Sequence, residues 1–227
     1  AVEIPKDPND PSYLASQNIH ILAEVSDNSP YLNEPVFLQY KLLVSNETDV
    51  SGPRLRDVPQ FTGFWNQKIE RDSPIKKMEY KGKSYRYVVV YEALLYPQKT
   101  GTLEIDPLSM EMSVGVQTNR RDFFGNYIYR NIDKVFYSSK VTINVKPLPD
   151  AGKPVDFSGV VGDFQLSAEL SRNKLQATES TQLILKLSGN GNLKLADLPT
   201  VNFPPGLDVY DPERKENIYV APTGMSG

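Results

Sequence analysis

Cysteine is missing from this 227-residue chain, and histidine occurs once, as His20. Without cysteine the chain has no disulfide, no thiol nucleophile and no cysteine-based zinc site. A single histidine excludes metal sites that need several imidazole ligands, and any Ser-His-Asp triad would have to use His20. No Gly-x-Ser-x-Gly motif accompanies it. The composition therefore predicts a protein that is not an enzyme and that holds no cofactor or metal.

Long apolar runs and an excess of basic charge are also missing. No stretch approaches the roughly 20 apolar residues that a membrane-spanning helix requires. The net charge is −3, with 25 basic against 28 acidic residues. This balance disfavours nucleic-acid binding, which usually needs a basic surface. No charged segment followed by an apolar one is present near residue 1, so we expect a mature or excised fragment without a signal peptide.

Alternating apolar and polar residues predict β-strands along most of the chain. The clearest runs lie at 19–25, 36–44, 85–95, 110–116 and 141–145. Each shows the period of two that is typical of half-buried strands, and glycine and proline turns separate them. No segment of ten or more residues has a clean helical period. The pattern predicts an all-β fold of tandem immunoglobulin-like β-sandwich modules.

Proline-rich segments divide the chain into parts. Residues 1–16 are predicted to be a lead-in or linker, and residues 148–155 a second linker. Proline fixes φ and cannot donate a hydrogen bond to a β-ladder, so a central strand cannot run through either segment. We therefore expect a complete immunoglobulin-like sandwich over 17–147 and a partial second module over 156–227.

An internal repeat supports this division. Shifted by 145 residues, segment 23–42 aligns without a gap with segment 168–187, and eight of the twenty positions are identical. Amphipathic strands explain the apolar identities, but they do not explain shared glutamate, asparagine and lysine at equal offsets. The second copy has no predicted counterparts of the strands that follow residue 84. We expect it to be truncated and, through its open apolar face, prone to self-association.

One segment between two predicted strands combines aromatic and basic side chains. Tyrosine and arginine are enriched at binding hot spots, so we expect this segment to contact a partner protein. The alternative is a hairpin or loop that folds over the core, with its arginines in solvent. The candidate contact residues are Arg120, Arg121, Phe123, Phe124, Tyr127, Tyr129 and Arg130.

Two single residues indicate other functions. Trp65, which follows Gly63 and Phe64, has two interpretations. It either stacks on a sugar ring, as in a carbohydrate- or peptidoglycan-binding module, or packs in a core. His20 lies on the outward face of the first predicted strand. A general base there would need a nucleophile and an orienting acid, so an exposed strand histidine is the simpler interpretation.

Several motifs give the chain a family resemblance. The first copy contains Asn33-Glu34-Pro35-Val36, Gly63-Phe64-Trp65 and the run from Leu95 to Gly101. The second copy contains Val161-Gly162-Asp163-Phe164 and the runs 187–193 and 203–212. With these motifs the chain resembles the BatD family of oxygen-tolerance proteins, from about residue 18 to residue 220.

The resemblance implies a periplasmic envelope protein of Gram-negative bacteria with serial immunoglobulin-like modules. It also implies a signal peptide and a C-terminal membrane helix, both outside this fragment, and no established catalytic residues. Members of the family are encoded beside von Willebrand A-domain membrane proteins. We therefore expect a membrane-anchored, non-enzymatic interaction scaffold linked to oxygen tolerance. We expect it to contact the A-domain proteins through segment 120–130, with glycan binding through Trp65 as the alternative.

Overall fold

A β-sandwich with one buried core forms the N-terminal unit. The computed structural model describes residues 10–155, 157–196 and 198–227, without the side chains of 118–120. One short helix precedes ten strands in this unit: α1 (Pro11–Asn18), β1 (Ile19–Val25), β2 (Val36–Ser45), β3 (Asp49–Asp57), β4 (Phe64–Lys68), β5 (Lys76–Tyr80), β6 (Lys83–Pro97), β7 (Gly101–Ile105), β8 (Ser109–Arg121), β9 (Tyr127–Tyr137) and β10 (Val141–Val145).

Three antiparallel sheets contribute to the core of this unit. One has the order β1-β2-β6-β4, with β5 also paired to β6, and the others have the orders β3-β8-β9 and β10-β7. Apolar side chains from all three pack in a single buried cluster, in which Leu38, Tyr40, Ile105 and Ile143 are fully enclosed. The period-two alternation places these side chains on one face of each strand. The all-β sandwich prediction is confirmed.

The helix α1 lies where the sequence predicts part of a lead-in. The carboxylate of Asp10 accepts hydrogen bonds from the backbone N–H groups of Ser12 (2.7 Å) and Tyr13 (3.2 Å), and Pro11 occupies the first helical position. Both features favour helix initiation. Ala15 is fully buried in the sandwich core. Residues 11–18 therefore pack against the first unit, and residues 1–9 lie outside the described part.

The strand β3 runs through Ser51-Gly52-Pro53, a run of residues that is typical of turns. Its register with β8 shifts between Ser51 and Arg54, and Gly52 has a φ of 59°. An edge strand tolerates proline and a bulge, because one side of it makes no ladder hydrogen bonds. The turn-forming residues at this position therefore produce an irregular edge strand.

A separate sheet follows the proline-rich segment. It has the order β11-β12-β14-β13. A 3-10 turn over Leu193–Leu195 follows β12. Residues 147–161 contain no strand among those described. The placement of the linker at 148–155 is compatible with this, and the domain boundaries stay a prediction. The strands are β11 (Gly162–Leu170), β12 (Leu183–Gly191), β13 (Tyr219–Ala221) and β14 (Gly224–Ser226).

The internal repeat has a structural counterpart in the first strand pair of each unit. Ile21 pairs with Leu42 across β1 and β2, and Leu166 pairs with Leu187 across β11 and β12. All seven pairs of the first ladder recur in the second ladder 145 residues later. A slip of one residue would turn every side chain to the opposite face, so equal register means that equivalent side chains share a face.

An identical serine closes both strand pairs in the same way. The hydroxyl oxygen of Ser26 accepts a hydrogen bond from the backbone N–H of Phe37 at 2.9 Å. The hydroxyl oxygen of Ser171, 145 residues later, accepts one from the backbone N–H of Gln182 at 2.9 Å. Both copies have this serine because its hydroxyl bonds the backbone of the facing strand at the open end of the strand pair.

An identical glutamate closes the connecting loop in both copies. The carboxylate of Glu34 accepts from the backbone N–H of Tyr31 at 2.7 Å, and that of Glu179 accepts from the backbone N–H of Gln176 at 3.0 Å. The backbone N–H of each glutamate donates back to the carbonyl of the same partner residue. The repeat therefore preserves a local turn together with the strand pattern.

The hairpin of β13 and β14 corresponds to the hairpin of β5 and β6. The turn of the β5–β6 hairpin pairs Tyr80 with Lys83, and that of the β13–β14 hairpin pairs Ala221 with Gly224. The strand β14 pairs with the end of β12, as the start of β6 pairs with the end of β2. The second copy therefore contains a short counterpart of the hairpin that β5 and the first residues of β6 form.

Candidate functional site

The strands β8 and β9 continue past the sandwich as a two-stranded ribbon. Pairing of β3 with β8 ends at Asp49 and Gly115. Beyond that point all described side chains from Gln117 to Asn131 are exposed. We call residues 117–131 the ribbon. At about 3.4 Å per residue it extends roughly 15 Å from the sandwich. The aromatic and basic segment of the sequence is therefore a projecting hairpin, and it does not fold over the core.

Asp122 organises the turn of the ribbon. Its carboxylate accepts hydrogen bonds from the backbone N–H groups of Phe124 (2.9 Å) and Asn126 (2.8 Å) and from the side-chain amide of Asn126 (3.1 Å). These bonds, led by the one from the Asn126 backbone, lower the pKa of Asp122. Gly125 takes the left-handed conformation that the turn needs, with a φ of 84°.

Arg121 braces the same turn from its base. One guanidinium nitrogen donates to the carbonyl oxygen of Gly125 at 2.9 Å, and another donates to the hydroxyl of Tyr127 at 2.8 Å. The guanidinium also lies over the Tyr127 ring, 4.2 Å from its centroid. Such a stack combines cation–π attraction with fixed hydrogen-bond geometry. Arg121 therefore positions the turn.

The ordered turn displays apolar side chains to solvent. Phe123 is 97% exposed and Phe124 is 84% exposed, and their rings meet edge to face at 5.6 Å. Tyr129 is exposed behind them, with its hydroxyl 3.3 Å from the side-chain oxygen of Gln117. Arg130 is also exposed, whereas the side chain of Arg120 lies outside the description. Exposed apolar clusters commonly mark binding surfaces.

A buried tyrosine that the sequence analysis missed connects the two units. Tyr96 is fully buried, and its hydroxyl donates to the carbonyl oxygen of Gly191 (3.0 Å) and accepts from the backbone N–H of Met225 (3.1 Å). Leu94 and Met225 are fully buried beside it. The run Ala93-Leu94-Leu95-Tyr96 was the available signal, because consecutive apolar residues indicate a strand that is buried on both faces.

Trp65 lies at the edge of this junction. Its ring meets the Tyr96 ring at 5.8 Å, and the amine of Lys194 lies 5.9 Å from its centroid. The same amine donates to the side-chain oxygen of Gln67 at 3.2 Å. Trp65 is half-buried by these contacts, so it is not a freely open platform for sugar stacking. Glycan binding stays an untested prediction.

His20 is half-buried in an aromatic cluster, where the sequence predicts an exposed side chain. Its Nε2 lies 3.2 Å from the Tyr85 hydroxyl, and the ring of Tyr80 is 5.2 Å away. Burial, together with the charge of Lys81, lowers the pKa of His20. Within the described ranges no carboxylate is hydrogen-bonded to it. This environment favours neutral imidazole packing over acid–base catalysis.

The cavity of about 410 Å³ beside β6 is a polar pocket under segment 68–76. Glu92, only 3% exposed, lies against it and accepts hydrogen bonds from Arg71 at 2.5 and 2.6 Å and from the Gln39 amide. Burial raises the pKa of Glu92, but these hydrogen bonds outweigh burial, and the pKa lies below its usual value. The carboxylate is satisfied within the protein and holds the segment in place.

The described residues hold neither a metal cluster nor a membrane-spanning helix. No group of three or more histidine, aspartate or glutamate side chains is arranged to hold a metal ion in this part of the chain. No helix within the same ranges has the length and apolar character needed to cross a bilayer.

Comparison with known proteins identifies the family. No curated protein matches the chain, and no solved structure matches it. A family model described as the BatD DUF11 like domain matches residues 23–145. The match begins in β1 and ends in β10, so it spans the first sandwich and more than half of the chain. The chain therefore belongs to the BatD family.

Proposed function

We propose that the protein is a non-enzymatic interaction scaffold at the periplasmic face of the bacterial envelope, linked to oxygen tolerance. In this proposal the full-length protein is anchored in the membrane, and the ribbon binds von Willebrand A-domain membrane proteins. Membership in the BatD family supports a role as an aerotolerance-associated envelope protein. The all-β architecture supports the scaffold role by analogy, because folds of this class frequently present loops to partners.

The observation that carries the proposal is the exposed phenylalanine pair at the end of an ordered ribbon. Phe123 and Phe124 leave large apolar surfaces in water at 97% and 84% exposure. A partner pocket that enclosed them would remove this surface from water. Because Asp122 and Arg121 already order the turn, little conformational entropy would be lost on binding. Preorganised aromatic side chains of this kind are typical binding anchors.

The proposal is tested by crosslinked affinity capture from envelopes, with the full-length protein as bait and mass spectrometry as readout. The bait carries either the native ribbon or Arg121→Ala with Phe124→Ala. We expect the double substitution to reduce recovery of A-domain membrane proteins about tenfold or more, because it removes both the turn brace and an apolar anchor. Circular dichroism and the unfolding midpoint establish that both baits fold.

A matched control replaces an exposed arginine and an exposed aromatic residue elsewhere. Arg214→Ala with Tyr210→Ala removes the same kinds of side chain from the second unit, where Tyr210 is 86% exposed. This control should leave recovery unchanged. Equal recovery of A-domain proteins with the native and ribbon-substituted baits would overturn the role of the ribbon. Failure to recover any A-domain protein with the native bait would overturn the proposed partner.

A further inference from the structure

The ribbon has too few strands to be a stable sheet by itself. Beyond Gly115 the strand β8 has lost its partner β3, so only β8 and β9 remain paired. A two-stranded hairpin is marginally stable in water, whereas a third strand adds ladder hydrogen bonds and covers apolar side chains. The ribbon would therefore gain ladder hydrogen bonds and apolar contacts from an added strand.

The two strands of the ribbon differ in regularity. Between Gln117 and Arg121 the strand β8 takes four residue steps, while β9 takes only two between Tyr129 and Tyr127. The edge of β8 is therefore bulged, and a bulge disfavours pairing with another chain. By contrast, β9 keeps an unbroken register from Tyr129 to Tyr137. The outer edge of β9 is therefore the more regular edge for pairing with an added strand.

Only the half of β9 near the turn is accessible along that edge. Further along, the amine of Lys134 donates to the Ser12 carbonyl (2.8 Å) and the Ser16 hydroxyl (2.5 Å) of α1. Ser138, just after β9, forms a bridge with Ile21 of β1. Among the strands of the described ranges, none pairs with β9 on its outer side. Alternate backbone groups between residues 129 and 133 point to that side.

Charge distinguishes this edge from the rest of the chain. Segment 120–134 contains four basic and two acidic residues, in a protein with a net charge of −3. The carboxylate of Asp122 is occupied by the turn, and Arg121 is stacked on Tyr127. Arg130 is exposed, and none of the ion pairs between described side chains includes it. Lys134 is bonded to α1 and the exposed Asp133 lies at the far end of the edge, so Arg130 is the cation near the turn that an incoming carboxylate can neutralise.

From these observations we infer that the outer edge of β9, between Tyr129 and Asp133, binds an extended acidic segment of a partner protein as an added β-strand. Main-chain hydrogen bonds to β9 hold the segment, Arg130 selects its acidic residues, and the phenylalanine pair contacts its apolar residues. This is recognition by β-augmentation. The inference rests on the proposed function, because it specifies how the ribbon recognises its partner.

The test uses the 227-residue chain and a library of displayed random dodecapeptides. We expect enrichment of sequences in which acidic residues alternate with apolar ones. A synthetic copy of the most enriched peptide is then added at saturation, and amide hydrogen exchange is followed by NMR. Alternate amides between residues 129 and 133 should exchange at least about tenfold more slowly, because new ladder bonds protect only the outward-pointing groups.

A charge exchange examines the role of Arg130. Arg130→Glu should weaken the acidic peptide about tenfold or more, and a peptide with lysine in place of its acidic residues should recover the loss. The matched control is Lys77→Glu, which makes the same change of charge at an exposed position of β5. It should have no comparable effect on either peptide.

Other outcomes overturn the inference. One such outcome is a peptide whose binding requires Phe124 but which slows the exchange of no amide of β9. It would contradict strand addition, while the proposed function would stand. If the chain selects no peptide and instead sediments with vesicles of phosphatidylglycerol and phosphatidylethanolamine, the ribbon is a lipid contact and the inference fails. If capture of A-domain proteins is also unaffected by the ribbon substitutions, the role of the ribbon in the proposed function fails as well.

Discussion

The two copies of the first strand pair share their register but differ in burial. In the first copy Leu38 and Tyr40 are fully buried under the facing sheets. In the second copy the equivalent face is more open, and Leu166 and Leu170 are each 54% exposed. Register and turn are therefore set within the strand pair, whereas burial depends on what packs against it. The expected self-association through this face stays a prediction.

The loops that join the two strands of each pair have the same backbone conformation at one position. Asn33 in the first copy and Thr178 in the second occupy equivalent positions, and both have a left-handed backbone, with φ of 63° and 79°. Asparagine tolerates this conformation, whereas a β-branched threonine is strained in it. The fold has thus kept a backbone geometry across both copies even where the side chain no longer suits it.

The largest effect is expected at Gly189, where the first copy has Val44. A Cβ at Gly189 would lie 2.0 Å from the carbonyl oxygen of Asp163 on β11. Gly189→Ala should therefore separate β11 from β12 and destabilise the second unit by at least about 3 kcal/mol. Urea unfolding followed by circular dichroism and by the fluorescence of Trp65, the single tryptophan, measures the loss.

Gly206→Ala is the control for this change. Gly206 has a φ of 93°, but a Cβ there would meet no atom within 4 Å. It should lose only about 1 kcal/mol from its backbone conformation. Equal losses for the two substitutions would show that the close approach of β11 to β12 is not what requires glycine at position 189.

An intermediate effect is expected when the contact between the units is broken. Tyr96→Phe removes the hydroxyl that bonds Gly191 and Met225 and leaves two buried backbone groups without that partner. We expect a loss of about 2 kcal/mol, confined to the junction. The Met225 amide should exchange faster and Trp65 fluorescence should change, while the first sandwich keeps its protection. Tyr129→Phe, at an exposed hydroxyl, should have neither effect, and an unchanged Met225 amide would refute the role of Tyr96.

The smallest effect tests the strained loop position. Thr178→Gly should stabilise the second copy by up to about 1 kcal/mol, because glycine adopts a positive φ without strain. Asn33→Gly should not stabilise the first copy, since Asn33 also donates to the Gly159 carbonyl at 3.2 Å and accepts from Gln98 at 3.0 Å. Opposite shifts in the urea midpoint are expected, and shifts of the same sign and size would contradict this account.

The strands of the first core were predictable because their side chains alternate strictly. Leu38, Tyr40 and Leu42 all face inward, as the period of two requires. The equal register of the repeat was also within reach, because its shared polar residues include Ser26 and Glu34, which bond the backbone. A side chain whose hydrogen-bond partner lies nearby in the chain can be recognised from a short stretch of sequence.

Features that depend on distant partners were harder to predict. The role of Tyr96 depends on backbone groups at 191 and 225, far along the chain. The half-burial of Trp65 and His20 likewise follows from neighbours that alternation does not specify. The sequence indicated the composition of the ribbon, but its projection follows from where β3 stops pairing with β8, near Gly115.

The junction at Tyr96 has a consequence for how the units are held together. Residues 147–161 tether one side of the junction to the other, so its closure is an intramolecular event. A short tether raises the effective concentration of one side for the other, which for short linkers is on the order of millimolar. An attraction too weak to join separate molecules is then enough to keep the junction mostly closed.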